Sequence, residues 1–478
     1  VTRLAVLALL AAAGPAGAAD PSFKADVAPV LAARCVSCHS GARAAGGYKL
    51  GTFADLTTPG KSGDAPLVAG KAAESELVRR LTDPDPKRRM PPDDESLPAA
   101  QVEAVRRWVA AGAKFDGPDP AAAIRTYLPP RTHPAAPALY PAPAPVFALA
   151  LSPDGKELAV GGVNEVTVWE ATTGQLLRRL PGLPDRVQAL AYSPDGARLL
   201  VGGGTPGEYG EAALIDPKSP GPRAVLGVFE DVVLAAAFSA DGTTAVAGGA
   251  DRTARAFRTA GGKELWRAAV HSDWVTAAAV SPDGRFVAAA GKDRTVKVLE
   301  AATGKLFTTY NGHRRQYGPH TGQFEVYGVA FDPQGVAYSA GAGAAVRVWE
   351  PVKAQEENGS AADMEERFAS AGHTRYLPFT AARPAFALAV AGGKVFTAAG
   401  DGVVRLHGTT GVTREYAAPG DWLYAVAADR TGARVATAGA GGTVRVWNAA
   451  TGAAVTAFPA APGLSHTPPA PPAAGIRP

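Results

Sequence analysis

The chain has 478 residues, with 55 Gly, 41 Pro, two Cys and a formal net charge of +4. That length exceeds one ordinary domain, and the scattered Lys and Arg leave no basic stripe for nucleic acid. Two cysteines exclude a disulfide-held scaffold, so packed cores must supply the stability.

Arg3, the apolar run from Leu4 to Ala13 and the small residues Ala16-Gly17-Ala18 read as a signal peptide over residues 1–19. The run is too short to span a bilayer, and no later segment approaches the ~20 apolar residues of a membrane helix. The cleavage region has no Cys to carry a lipid anchor. The expectation is a soluble periplasmic protein with no membrane span.

Phe23, Val27, Val30 and Leu31 share one face of a helix, with Ser22 as its cap. Its end delivers Cys35-Val36-Ser37-Cys38-His39, which spells C-x-x-C-H with the chain's two cysteines. This is the attachment signature of a c-type haem. Both thiols, Cys35 and Cys38, add to the haem vinyl groups, and His39 becomes an axial iron ligand. A thioredoxin-like pair would instead open a helix after a strand. A zinc site lacks its second ligand pair, and a disulfide across two residues is strained. Attachment of haem c outside the bacterial cytoplasm agrees with the signal peptide.

A second helix is expected over residues 76–81. A third opens at Pro98, puts Val102, Val105, Trp108 and Val109 on one face, and stops at Gly112. Between them, Arg88-Arg89-Met90-Pro91-Pro92 is a proline-braced loop, which makes Met90 the expected second iron ligand. The other methionine, Met364, lies in an acidic insertion too polar for an iron site. Arg88 and Arg89 are candidate contacts to the haem propionates.

These motifs together resemble the planctomycete-type cytochrome c domain. The matching stretches are residues 30–40, Gly46-Gly-Tyr-Lys-Leu50, Val68-Ala-Gly70, Ser75-Glu-Leu-Val78, Arg89-Met-Pro-Pro92 and Trp108-Val-Ala-Ala-Gly-Ala113. The resemblance covers residues 23–118, implies a small all-α haem domain over 20–118, and also assigns Met90 to the iron.

Residues 119–145 are a Pro/Ala-rich linker, expected to be a semi-rigid spacer. Beyond it the chain repeats. Leu149-Ala-Leu-Ser-Pro-Asp-Gly155 returns near 190, 236, 278 and 329, in worn form near 426 and shortened near 386. About fifteen residues after such a turn comes an alternating strand, as in Val166-Thr-Val-Trp-Glu170 and Val444-Arg-Val-Trp-Asn448. An S-P-D-G turn between apolar runs makes an antiparallel meander, and a period near 40 makes propeller blades. The repeats resemble the WD-repeat family, and seven turn signatures predict an all-β seven-bladed propeller over 146–458. Three blades have Ile215, Phe257 or Leu299 where the family has Trp, and the His–Asp–Ser/Thr–Trp network is incomplete wherever it can be aligned. The chain enters on an inner strand and leaves on an outer one, with no closing strand evident in the linker. Residues 459–478 form a Pro/Ala-rich tail, expected to be disordered.

His/Met ligation leaves no open iron position and suits electron transfer. One reading is therefore an electron carrier with a redox partner protein, whose propeller face binds a protein. A second is a redox enzyme with a catalytic propeller and the haem as its electron port, although no His set stands in equivalent inner loops. A third is a scaffold with a sensing or structural haem. Fold alone does not separate them.

Overall fold

The computed structural model describes residues 21–36, 39, 44–91, 96–122, 124–127, 131–314, 324–343, 345–359, 371–380 and 383–464. The expected signal peptide, Cys38, Pro92, Met364 and the tail beyond 464 lie outside the described residues. The chain forms two compact units, residues 1–131 and 132–478, so the contact boundary falls inside the Pro/Ala stretch. A small helical unit precedes a body made mostly of β-sheet. No helix among the described residues is long and apolar enough to cross a membrane.

The helical unit opens with a wide turn over Phe23–Val27 that runs into α1, Ala28–Arg34. The Ser22 hydroxyl accepts from the Ala25 N–H, and Phe23, Val27, Val30 and Leu31 are buried, the face the sequence pattern defines. A one-turn helix α2, Phe53–Leu56, has a reciprocal Thr52–Asp55 capping box. α3 spans Glu76–Thr82, and α4 spans Ala99–Ala110 with Pro98 before its first turn. Phe23 packs on Phe53, Trp108 and Phe115 with ring centroids 5.0, 5.5 and 5.6 Å apart. Burying a side chain as large as Trp108 contributes about 3 kcal/mol. Gly112, at φ +102°, ends α4 where a side chain would be strained, and the Ala113 N–H closes on the Trp108 carbonyl.

In the β body the repeated turn is a local hydrogen-bonded device. Ser152 Oγ donates to Asp154 Oδ1 at 2.7 Å and accepts from the Glu157 N–H, while Gly155 takes φ +69°. The same Ser–Asp pair recurs at Ser193/Asp195, Ser239/Asp241 and Ser281/Asp283. The first sheet has seven strands: β1 Leu149–Leu151, β2 Glu157–Gly161, β3 Val163–Glu170, β4 Leu176–Tyr192, β5 Leu199–Thr205, β6 Tyr209–Ile215 and β7 Ala224–Phe229. It divides at β4, whose first half pairs with β3 and second half with β5. Five further antiparallel four-stranded sheets follow, over residues 233–268, 275–310, 326–378, 385–417 and 423–459. The first strands of all these units line one central cavity of about 220 Å³.

Neighbouring units interlock through glycine. A Cβ added at Gly161, Gly202 or Gly248 would come within 2.9, 2.6 or 2.5 Å of Val187, Val233 or Val275 on the next unit. The first unit also shares a core with the last: Leu149, Trp169 and Ala171 pack with Ala438, Val444 and Phe458.

The polar network of these repeats is one partner short in each of two units. His271, Asp293 and Thr295 are bonded together, with Leu299 in the Trp place. His313, Ser339 and Trp349 are bonded together, but His313 Nδ1 has no partner among the described residues. In a third unit His407 itself occupies the Trp place and meets Thr397 Oγ1 at 2.9 Å. Two long stretches of chain ahead of later repeated turns, residues 314–325 and 355–383, fall partly outside the described residues; a helix over Pro351–Gly359 runs into the second.

The second half of the Pro/Ala stretch packs on the β body. Tyr140 is buried; its hydroxyl donates to Glu165 Oε1 at 2.8 Å and accepts from the Val163 N–H at 3.2 Å. Arg179 donates to the carbonyls of Pro137 and Ala138. The Tyr140 N–H reaches the Pro462 carbonyl, and the Val146 N–H reaches that of Gly439. Tyr140→Phe is expected to destabilise the β body by about 1–2 kcal/mol in chemical denaturation, because Val163 loses its acceptor and Glu165 a donor.

Burial, and secondarily the Arg405 guanidinium, push His407 down to about 4 from its usual 6.5. The folded state therefore resists protonation, and the stability His407 contributes is fully present above pH 6.5. It falls as pH drops from about 6.5 towards 4, by about 3 kcal/mol in all. Thermal midpoints measured across that interval should decline less steeply in His407→Phe.

Candidate haem site

α1 places the first thiol. The Cys35 and Val36 N–H groups both close on the Leu31 carbonyl, at 2.9 and 3.0 Å, and Cys35 is buried. The His39 N–H donates to the Cys35 carbonyl at 3.0 Å, which ties the residue of the imidazole to that of the thiol. Cys38 lies between them in sequence but outside the described residues.

The His39 ring is oriented by main chain. Its Nδ1 lies 3.0 Å from the Tyr48 carbonyl oxygen, which can only accept, so Nδ1 carries the proton. Nε2 is left with its lone pair for a metal. The Leu50 N–H donates to the His39 carbonyl at 2.7 Å, which fixes the two segments side by side. The Tyr48 hydroxyl donates to the Leu56 carbonyl at 3.1 Å. Burial, then the neighbouring Cys35 and Asp55, raise this phenol far above its usual range, so it stays neutral. Gly46 and Gly47, at φ +62° and +70°, make the turn that presents Tyr48.

One cavity of about 450 Å³ takes in these groups, a volume typical of cofactor sites. Cys35, His39 and Met90 all line it, with Tyr48, Leu50, Leu77 and Leu81 among its walls. Met90 is carried by the loop after α3, and its N–H donates to the Arg80 carbonyl at 2.9 Å. The cations on the lining are Arg34, Lys61 and Arg80. Arg88 and Arg89 are not among the lining residues. Arg88 is largely exposed and pairs with Asp83 at 3.5 Å.

A thiol, an imidazole with Nε2 available and a thioether on one apolar-walled cavity fit a c-type haem. When bound, the group would supply one-electron redox chemistry. Cys35 would hold it covalently, while His39 and Met90 would supply donors to its iron. Sequence reasoning missed the Tyr48 carbonyl and the three lining cations. Tyr48 stands within a motif the sequence displays, but the group that acts is its backbone oxygen. Arg80 is legible only as the i+4 partner of Glu76 on α3.

Comparison with known families agrees with this geometry. The family described as Planctomycete cytochrome C matches residues 35–94, the span from Cys35 past Met90. The family described as WD domain, G-beta repeat matches residues 224–258, 262–299 and 412–448, all within the β body. No curated protein matches the chain. A cytochrome c region implies a haem cofactor and electron carrying, and WD repeats imply protein interaction. The chain therefore joins a planctomycete cytochrome C domain to a body of WD repeats.

Proposed function

We propose that this protein is a periplasmic electron carrier with one haem c, attached through Cys35 and Cys38 and ligated by His39 and Met90. The observation that carries the reading is that Cys35, His39 and Met90 line a single cavity although Met90 lies 55 positions after Cys35. The Tyr48 carbonyl holds the imidazole in one tautomer, so the donor nitrogen is ready without rearrangement. The mostly apolar walls limit water at the iron, and Met90 as second ligand leaves no position for substrate. That favours electron transfer over iron-centred catalysis. The periplasmic assignment rests on the sequence of residues 1–19 and on the chemistry of haem c attachment.

The β body is proposed to be a closed seven-bladed propeller that binds a partner protein on one face. Seven first strands around one cavity, and the shared core of the first and last units, support this. An experimental structure of the full chain with six or eight blades would overturn it.

Periplasmic protein should give one haem per chain in a pyridine haemochrome assay, and the haem should stay with the polypeptide in acidified acetone. Extraction of the haem would exclude thioether attachment. In the ferric protein, thioether ligation gives a weak absorption band near the red edge of the visible. Met90→Ala should abolish that band, lower the potential and open the iron to carbon monoxide, while Met364→Ala should do none of these. An unchanged Met90→Ala spectrum would place the sixth ligand elsewhere.

A further inference from the structure

The loop that carries Met90 is folded mostly on itself. Asp83 Oδ1 accepts from the Asp85 N–H, and Asp85 Oδ1 accepts from the Lys87 N–H. The Asp85 carbonyl accepts from the N–H groups of both Arg88 and Arg89, at 3.0 and 2.9 Å. These bonds shape the loop but do not set its distance from the cavity. Two others do, and both involve Arg80 on α3. Its carbonyl accepts from the Met90 N–H at 2.9 Å, and its Nη1 donates to the Arg88 carbonyl at 3.4 Å.

Arg80 is itself aimed. Its Nε donates to Glu76 Oε1 at 2.6 Å, one helical turn earlier on α3. Glu76, Leu77, Arg80 and Leu81 all line the cavity with Met90. The α3 helix therefore supplies both a wall of the cavity and the anchor of the loop that carries Met90.

We propose that Arg80 is a positioning residue for Met90: its guanidinium and carbonyl grip the loop on either side of Arg89 and hold the thioether at the cavity, with Glu76 orienting the guanidinium. This rests on the reading of Met90 as an iron ligand. Without the guanidinium, one of the two anchoring bonds goes, and the Met-off population rises about tenfold, the weight of one hydrogen bond. Covalent attachment and His39 ligation are unaffected.

The test uses the full-length holoprotein and carbon monoxide as probe. Arg80→Leu keeps the backbone bond and loses the side-chain bond. It should retain one covalent haem, weaken the red-edge band and bind carbon monoxide about tenfold more readily. Glu76→Leu, which keeps Arg80 but removes its orienting partner, should move both readouts the same way by less; it serves alone if Arg80→Leu does not fold. Arg80→Lys separates position from charge. It keeps the cation but cannot hold both Glu76 and the Arg88 carbonyl, so its band should weaken too. An intact band and wild-type carbon monoxide binding in Arg80→Leu, with the band lost in Met90→Ala, would overturn the proposal and leave the ligation reading standing. A potential lowered in Arg80→Leu but not in Arg80→Lys, with both bands intact, would make Arg80 a source of charge only and overturn it equally. A Met90→Ala spectrum like wild type would remove the ligation reading itself.

Discussion

The Tyr48 carbonyl decides which nitrogen of His39 is left for the cavity, and the turn at Gly60 and α2 hold the Tyr48 segment in place. The Tyr48 segment is pinned on each side. The next turn approaches so closely that a Cβ on Gly60 would lie 2.9 Å from the Tyr48 Cβ and 3.0 Å from its nitrogen. The Tyr48 hydroxyl is tied to α2 through the carbonyl of the fully buried Leu56. A side chain at Gly60 would therefore crowd the segment whose carbonyl orients the His39 ring.

The β body obeys a different constraint, the close approach of successive sheets. A glycine in the second strand of one unit receives a valine from the first strand of the next, three times in succession. This packing tolerates incomplete polar networks. Among the described residues His313 keeps Ser339 and Trp349 without a carboxylate, and His271 keeps Asp293 without a Trp. Trp349 is held as well by Tyr310, whose ring stacks on it at 4.4 Å. Dispersion and burial take over where one hydrogen-bond partner is missing.

What was legible in the sequence was local. C-x-x-C-H needs contiguous residues, S-P-D-G closes its own hydrogen bonds, and the apolar faces of α1 and α4 follow from helical spacing. What was not legible depends on atoms without a side-chain signature or on partners far along the chain. The Tyr48 oxygen is common to every residue type. Arg80 looks like a surface helix cation until the Arg88 carbonyl is brought beside it. The Pro/Ala stretch reads as a spacer because proline cannot donate to a sheet. Its carbonyls still accept, however, and Arg179 from β4 finds those of Pro137 and Ala138. His407 shows the same limit. Its burial follows from a register in which it takes a tryptophan's place, and composition does not reveal a register.

The two ends of the β body lie on neighbouring sheets and touch through Tyr140 and Pro462, yet among the described residues no strand passes from one to the other. Each of the last five sheets is therefore a contiguous cassette of chain, complete within itself. New termini could be opened between any two of these cassettes, and the old ones spliced, without severing a sheet. The exception is the seventeen-residue strand β4, which serves two units at once. A cut there would fall in a strand whose first half pairs with β3 and whose second half pairs with β5.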